Sequence, residues 1–405
     1  NNLTMKKEKI FSSFGILPKE EMLEVKPNFK QLQIGIPKES SFQENRVSLT
    51  PDSVGLLIAN GHSVIIEKGA GLASNFQDKE YTDSGAELAY SKEEVFKANF
   101  ILKIEPPTQE ELTLMQRGQQ LISAVQMSTQ TATYFKTLIK KNITAFGFEF
   151  IKNEQNKLPI VRSMSEIAGN TALLIAGEYL SNTKNGKGLM LGGISGLLPT
   201  NVVVIGAGTV GEYACQTSLG LGASVIVFDD SVTKLGRLQN NIKQRISTST
   251  LQPKALGKAL KRADVVIAAL RIGDGKVPCI VSEEMVSEMK KGAVVVDVSI
   301  DQGGCFETSE ITTHKNPTFI KHGVVHYCVP NIASRVSRTA SMAISNILTP
   351  ILLRIAEEGG VEHTIRKHEC LRNGVYTCHE NLTNKMLSKN FNIPFVDLDL
   401  IMTNR

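Results

Sequence analysis

The run Val202-Val203-Val204-Ile205-Gly206-Ala207-Gly208-Thr209-Val210-Gly211 ends an apolar, strand-like stretch in a GxGxxG pattern, and a helical sequence, Glu212–Leu221, follows it. Each part suits a dinucleotide phosphate. Gly206 permits a tight turn, Gly208 lets the backbone approach a pyrophosphate, and Gly211 lets helix and strand pack closely. The helix start adds N–H donors and a positive dipole end at Val210 and Gly211. A second strand, Ser224–Phe228, ends at Asp229, 18 residues past Gly211. A carboxylate there accepts hydrogen bonds from the adenosine ribose and repels a 2′-phosphate, so NAD is expected over NADP, with Lys234 softening the preference. Gly206, Gly208, Val210, Gly211, Asp229 and Lys234 are the expected cofactor contacts. Such a site implies hydride transfer or a nucleotide sensor.

The elements around this loop alternate between strand and helix. Before it, strands are expected at Gln31–Pro37, His62–Lys68, Phe100–Ile104, Gln120–Val125 and Ile143–Phe150. Thr50-Pro51 opens a helix that stops at Asn60-Gly61, and Thr129–Asn142 reads as another. A long helix, about Ser165–Leu180, and a Gly-rich loop, Gly186–Gly196, lead to strands at Asn201–Ile205, Ser224–Asp229, Ala263–Ala269 and Ala293–Val298. Strands separated by helices, without tight hairpins, imply an α/β fold of two doubly wound, Rossmann-like parallel sheets flanking a cleft. Arg338–Ala356 reads as a helix too apolar to stand alone in water. The first 30 or so residues look polar and irregular, with Met5 a candidate start.

Composition narrows the function classes. The 405 residues exceed one ordinary core, so two domains are expected. With 45 Lys+Arg against 40 Asp+Glu, interspersed, the charge is too dilute to imply a nucleic-acid partner. No stretch approaches ~18 uncharged apolar residues, so no membrane span is expected. The N-terminus lacks the apolar core of a signal peptide. The six cysteines have no CxxC spacing and read as thiols of a cytoplasmic protein, with no metal site.

Several segments resemble the alanine dehydrogenase family, which is related to the NAD-binding part of transhydrogenase. They are Ile34-Gly35-Ile36-Pro37-Lys38-Glu39 with Glu44-Asn45-Arg46-Val47-Ser48-Leu49-Thr50-Pro51; Met164-Ser165-Glu166-Ile167-Ala168-Gly169; the dinucleotide loop; Asp297 to Gly304; and His322 to Asn331. The likeness runs in order over about residues 31–400. It implies a substrate lobe from residues 1–160 and 338–405, a nucleotide lobe from 161–337 between them, and a homo-oligomer built through helices like Arg338–Ala356. It implies that Arg46 holds the substrate carboxylate, for which a guanidinium fork is well shaped. It also implies acid/base work for Asp301, just past a strand end, where an N-capping role is the alternative. Ser165 and Asn331 would flank the cofactor.

Two positions depart from the family. Glu105 stands where a substrate-binding Lys is expected, and Gln126 where a catalytic His is expected. Gln126 hydrogen-bonds but takes no proton near neutral pH. Lys103, two residues before Glu105, either supplies the missing ammonium or pairs with Glu105. The proton burden then falls on Asp301, and on Glu105 if burial raises its pKa. His62, the one histidine before residue 314, reads as a core or solvated group. The resemblance therefore implies an NAD-dependent amino-acid dehydrogenase, of L-alanine and pyruvate, with a modified site. The alternatives are a transhydrogenase-like or quiet NAD(H)-binding protein, and an opine- or saccharopine-type reductase.

Overall fold

The structure, a computed structural model, describes residues 29–40, 43–184, 186–272 and 275–403. The irregular N-terminal segment and Met5 lie outside the described residues, apart from Phe29 and Lys30.

Two sheets organise the chain. The first has the order β15-β14-β6-β5-β4-β1-β2-β3. Its strands are β1 (Gln33–Ile36), β2 (Ser63–Glu67), β3 (Glu87–Ala89), β4 (Phe100–Leu102), β5 (Gln120–Ser123), β6 (Thr144–Gly147), β14 (Val375–Cys378) and β15 (Asn381–Leu382). The second has the order β12-β13-β11-β10-β7-β8-β9, from β7 (Asn201–Ile205), β8 (Ser224–Phe228), β9 (Ser247–Ser249), β10 (Val265–Ala268), β11 (Val294–Asp297), β12 (Thr318–Lys321) and β13 (Val324–Tyr327). Central strands such as β7, β10 and β11 are buried along their length, which is why they read as unbroken Val/Ile runs rather than alternating ones.

Both sheets are dominated by parallel pairs, as the sequence implies, but each carries a hairpin that was not expected. β12 and β13 pair antiparallel around His322-Gly323, and β14 and β15 around His379-Glu380. Both residues of each turn have positive φ, the twist that suits a two-residue hairpin. Three of the four are not glycine, so the usual turn signal is absent from the sequence.

The longer helices are α1 (Pro51–Ala59), α2 (Ala132–Lys140), α3 (Pro159–Leu180), α4 (Thr209–Gly220), α5 (Val232–Ile242), α6 (Pro253–Arg262) and α7 (Ser337–Glu357). Thr50 caps α1 as expected, its hydroxyl accepting from the Ser53 N–H at 3.5 Å with Pro51 in the first turn. α3 starts earlier than its sequence pattern suggests and serves both sheets. Ile160 and Met164 join the apolar cluster of the first, whereas Ala168, Ala172, Leu173 and Ala176 pack against Val202 and Val204 of the second.

α7 returns to the first sheet, burying Ile344, Leu348, Leu352 and Ile355 with Ile34, Ile36, Val54 and Leu57. The stretch Ile332–Glu357 is long and apolar enough to cross a membrane by length and composition alone, and half of its most apolar part is buried inside the protein.

Two helices pack closely at Gly169 on α3. A Cβ there would lie 2.4 Å from the Val210 carbonyl oxygen and 2.9 Å from the Tyr213 Cβ. Both obstacles belong to α4, so relief requires moving a helix. Gly169→Ala is therefore expected to cost about 1–3 kcal/mol of stability, read as a lower calorimetric melting temperature. An unchanged melting temperature would show that the helices separate freely.

Candidate active site

In an open α/β sheet, ligands sit at the carboxyl ends of the strands where the winding direction reverses. In the second sheet that point lies between β7 and β10. Gly206, just past β7, has φ 113°, and a Cβ there would meet the Ala269 carbonyl oxygen at 2.5 Å. A Cβ on Gly211 would lie 1.9 Å from the Gly206 oxygen, whereas one on Gly208 would meet nothing within 4 Å. The three glycines thus divide as turn, close packing and open face. α4 begins directly behind, with Gly208 as its N-cap and no side-chain cap.

Asp229, 1% exposed, joins this loop. Its carboxylate accepts from Ala207 N at 2.7 Å and Ser231 N at 2.9 Å. Burial works against its charge, but those two N–H groups and Lys234, 3.8 Å away, hold it below the usual aspartate range. A permanent anion beside the phosphate loop fits a ribose and disfavours an extra phosphate. Arg237, which the sequence reading missed, donates to the Ala207 carbonyl at 3.0 Å and braces the same turn. The residues present therefore fit a dinucleotide.

Farther along, Asp297 caps the turn after β11 and ties down Ser299, Cys305 and Ser309. The N-capping role weighed for Asp301 thus belongs to Asp297. The amide of Gln302 clasps Ile272 N at 3.1 Å and its carbonyl at 3.0 Å, joining the loops after β10 and β11. Asp301 is exposed at the cleft, yet protein crowds it, and burial pushes its carboxyl up. The Asn331 N–H, donating at 3.0 Å, and the charges of Arg46 and Arg271 oppose that rise.

The first sheet reverses between β1 and β4, and both loops leaving that point enter the cleft. The loop after β1 carries Glu44 and Arg46. Arg46, 9% exposed, donates through Nε to Glu44 Oε1 at 2.7 Å and through Nη2 to Glu44 Oε2 at 2.6 Å. Its Nη1 meets Met164 Sδ at 3.4 Å. Asn331 Nδ2 completes Glu44 Oε2 at 2.6 Å, so Arg46, Glu44, Asn331 and Asp301 form one chain across the cleft. Three serines hold the Arg46 loop from the far side: Asn45 N donates to Ser334 Oγ at 3.0 Å, Val47 N to Ser341 Oγ at 2.9 Å and Thr50 N to Ser345 Oγ at 3.0 Å.

The loop after β4 brings Glu105 Oε1 to 3.9 Å from Arg46 Nη2. Burial, then the charge of Glu44, raises the Glu105 carboxyl well above the usual range. Glu44 moves the other way: burial alone would raise it, but Arg46 holds it low.

Other expected residues stand apart. Lys103 is 1% exposed and pairs with Glu39 at 3.0 Å and Glu111 at 3.2 Å. It neither supplies a free ammonium nor pairs with Glu105, because β4 ends at Leu102 and strand alternation no longer applies beyond it. Gln126 sits at the carboxyl end of β5 with φ 47°, its N–H donating to Glu149 at 2.9 Å. Among the described residues, no hydrogen bond ties its amide to Arg46 or Glu105. Ser165 Oγ donates back to Val161 O at 2.8 Å within α3. His62, 4% exposed and stacked on Phe29, is a core group pushed down to about 4 by burial. His314, half-buried at the cleft, was not considered; its N–H donates to the Gln43 side chain, and the charges of Arg335 and Glu44 act on its ring. Glu44 itself was legible as the carboxylate two positions before Arg46.

Lys103→Met removes the cation from two buried carboxylates. It is expected to cost about 3–5 kcal/mol of stability, measured by denaturant unfolding. A loss below about 1 kcal/mol would show that Glu39 and Glu111 find other partners.

Comparison with known proteins agrees with this geometry. The family model described as "Alanine dehydrogenase/PNT, N-terminal domain" matches residues 35–168, and "Alanine dehydrogenase/PNT, C-terminal domain" matches 172–385. The chain is 38% identical to alanine dehydrogenase of Bacillus subtilis over 364 residues, 90% of this chain and 96% of that one. It is also 38% identical to alanine dehydrogenase of Methanococcus maripaludis, covering 89% and 97%. A solved L-alanine dehydrogenase superposes with TM-score 0.82 at 32% identity, over 89% of this chain and 99% of that one. A transhydrogenase from Sinorhizobium meliloti shares the fold, with TM-score 0.74 at 23% identity over 87% and 99%. The matched domains span most of the sequence and the relatives match over nearly their whole length: the chain belongs to the alanine dehydrogenase/PNT family.

Proposed function

We propose that this chain is an NAD-dependent amino-acid dehydrogenase that interconverts L-alanine, NAD and water with pyruvate, ammonium and NADH. The observation that carries this reading is a hydrogen-bonded chain between the switch points of the two sheets: Asn331 donates to Asp301 on one side and to Glu44, the partner of Arg46, on the other. Residues 1–160 and 338–405 would hold the substrate, and 161–337 the dinucleotide.

NAD, when bound, accepts the hydride from the amino-acid carbon. The phosphate loop, Val210 and Asp229 would hold it, with Lys234 at the rim and Ser165 and Asn331 toward the cleft. Arg46 orients the substrate by its carboxylate; its charge is fixed at any working pH. Asp301 carries protons at the nitrogen. Its raised affinity for protons suits it to give one to departing ammonia and to take one from attacking water. The Asn331 N–H holds one Asp301 oxygen, so that bond leaves the other oxygen for a substrate. Gln126 contributes hydrogen bonding only. We further propose a cytoplasmic homo-oligomer.

A second reading is favoured by one observation, the bidentate closure of Arg46 by Glu44. If that closure is permanent, the protein binds NAD(H) without dehydrogenase chemistry. An NADH-linked assay with pyruvate, glyoxylate, oxaloacetate and 2-oxoglutarate, each with and without ammonium, separates the readings. Ammonium-dependent NADH oxidation with pyruvate is expected. Oxidation that requires a larger amine would indicate an opine-type reductase, and none with any acid would leave nucleotide binding alone.

Two variants test the assignments. Arg46→Ala should raise the KM for pyruvate by about tenfold or more while leaving the KM for NADH nearly unchanged; equal effects would remove Arg46 from the substrate site. Asp229→Ser should improve NADPH use relative to NADH by about tenfold, and an unchanged ratio would show that the carboxylate does not face the ribose.

A further inference from the structure

Over the whole chain the two signs of charge are interspersed, but in one segment they are not. From Ser231 to Ala263 there are eight Lys and Arg residues and no Asp or Glu. A net charge of +5 overall with +8 in this segment leaves −3 for the rest of the chain. The whole positive excess belongs to one stretch.

The fold gathers that stretch at the free edge of the second sheet. β9 ends the sheet, with α5 before it and α6 after it. α5 buries Leu235 and Leu238 against one face, and α6 buries Leu256 and Leu260 against the other. The cations are what both helices leave outside. Lys234 and Arg237 lie on α5, and Lys243 and Arg245 lead into β9. Lys254, Lys258, Lys261 and Arg262 follow on α6, and all eight side chains are exposed. Two have ion-pair partners, Lys234 with Asp229 at 3.8 Å and Lys261 with Glu288 at 2.8 Å. Among the described residues the other six have none. The acids that face this ridge from adjoining elements are Asp229 and Asp230 at the end of β8, Glu288, and Glu212 on α4, which Asn241 of α5 engages at 3.0 Å. Eight cations outweigh these four.

The near end of the ridge joins the phosphate loop, where Lys234 meets Asp229 and Arg237 donates to the Ala207 carbonyl. We propose that the ridge is an electrostatic funnel for the cofactor: its field draws the diphosphate of NAD(H) toward the Gly206–Gly211 loop and raises the association rate. This rests on the dinucleotide reading of that loop and is independent of the substrate. A small dianion suits the ridge better than a macromolecule does. The segment has no aromatic side chain on which a nucleic-acid base could stack. Its one large apolar side chain that stands well exposed is Val232, a poor footing for a peptide or a membrane.

The range of the field is set by salt. α5 has 11 residues, about 16 Å at 1.5 Å per residue. Lys243 at its far end is therefore inside the screening length of about 30 Å at 10 mM salt, whereas at 0.15 M that length is about 8 Å and the near end dominates. Charges that do not touch the bound ligand change its rate of arrival and leave its departure alone.

The test mixes NADH with the full-length protein in a stopped-flow fluorimeter, from about 10 mM to about 1 M salt. The wild-type association rate should fall about tenfold or more over that range. A triple variant, Lys243→Glu with Arg245→Glu and Lys258→Glu, should associate about tenfold more slowly at low salt, converge with the wild type at high salt, and keep its dissociation rate. Glutamine at the same three positions, which deletes charge without reversing it, should fall between. A salt-independent wild-type rate, or a loss confined to the dissociation rate, overturns the funnel and leaves the dehydrogenase reading standing. Failure of NADH to bind at all overturns both. A single-stranded oligonucleotide that binds the wild type at physiological salt and displaces NADH would give the ridge to a nucleic-acid backbone and overturns the funnel too. Should the triple variant not fold, the salt dependence of the wild type decides alone.

Discussion

A guanidinium buried beside the cleft governs this molecule. Arg46 cannot lose its charge and is almost removed from water, so anions must meet it wherever it lies. Glu44 meets it on one edge from two residues away, a local solution available as soon as the loop forms. Local pairing does not aim the loop, however. That falls to Ser334, Ser341 and Ser345, which accept three of its backbone N–H groups from a segment nearly 300 residues later. Because these hydroxyls come from α7 and the turn leading into it, a helix whose apolar face is anchored under the first sheet also sets where the charge sits.

The cleft follows from the same crossing. Segment 331–345 leaves the carboxyl edge of the second sheet, where Asn331 bonds Asp301, and becomes the helix that completes the first core. α3 crosses in the other direction, with one end in each core. Two such crossings join the two switch points, and the close approach of Gly169 to α4 fixes α3 against the second sheet's side. Acid/base groups, which act only at hydrogen-bond range, need that rigidity.

The departures that the resemblance implies at positions 105 and 126 would alter charge rather than shape. A cation at position 105 would give the pocket two fixed positive groups; Glu105 leaves one, already matched by Glu44. Gln126 removes a titrating ring from the end of β5. What remains to carry protons are carboxyls raised by burial, Glu105 and Asp301. Lys103 looks from its position like a replacement cation, but it is consumed by Glu39 and Glu111, and its role is to let a buried carboxylate pair exist.

What could be read from the amino-acid order was local. The phosphate loop, its three glycine roles, Asp229 and the Thr50 cap of α1 all rest on interactions within a few residues or one strand–helix–strand unit, and the order of residues carries them directly. The alternation of helices and Val/Ile runs carried the doubly wound class in the same way. The hairpins at His322-Gly323 and His379-Glu380 escaped because ordinary side chains there adopt positive φ, which only tertiary pairing enforces. The serine clamp on the Arg46 loop, the partners of Lys103, and the meeting of Glu105 with Arg46 were decided by the fold alone. Each joins residues far apart in sequence, or lying past a strand end, and a buried charge takes its partner from whatever the packing brings within reach.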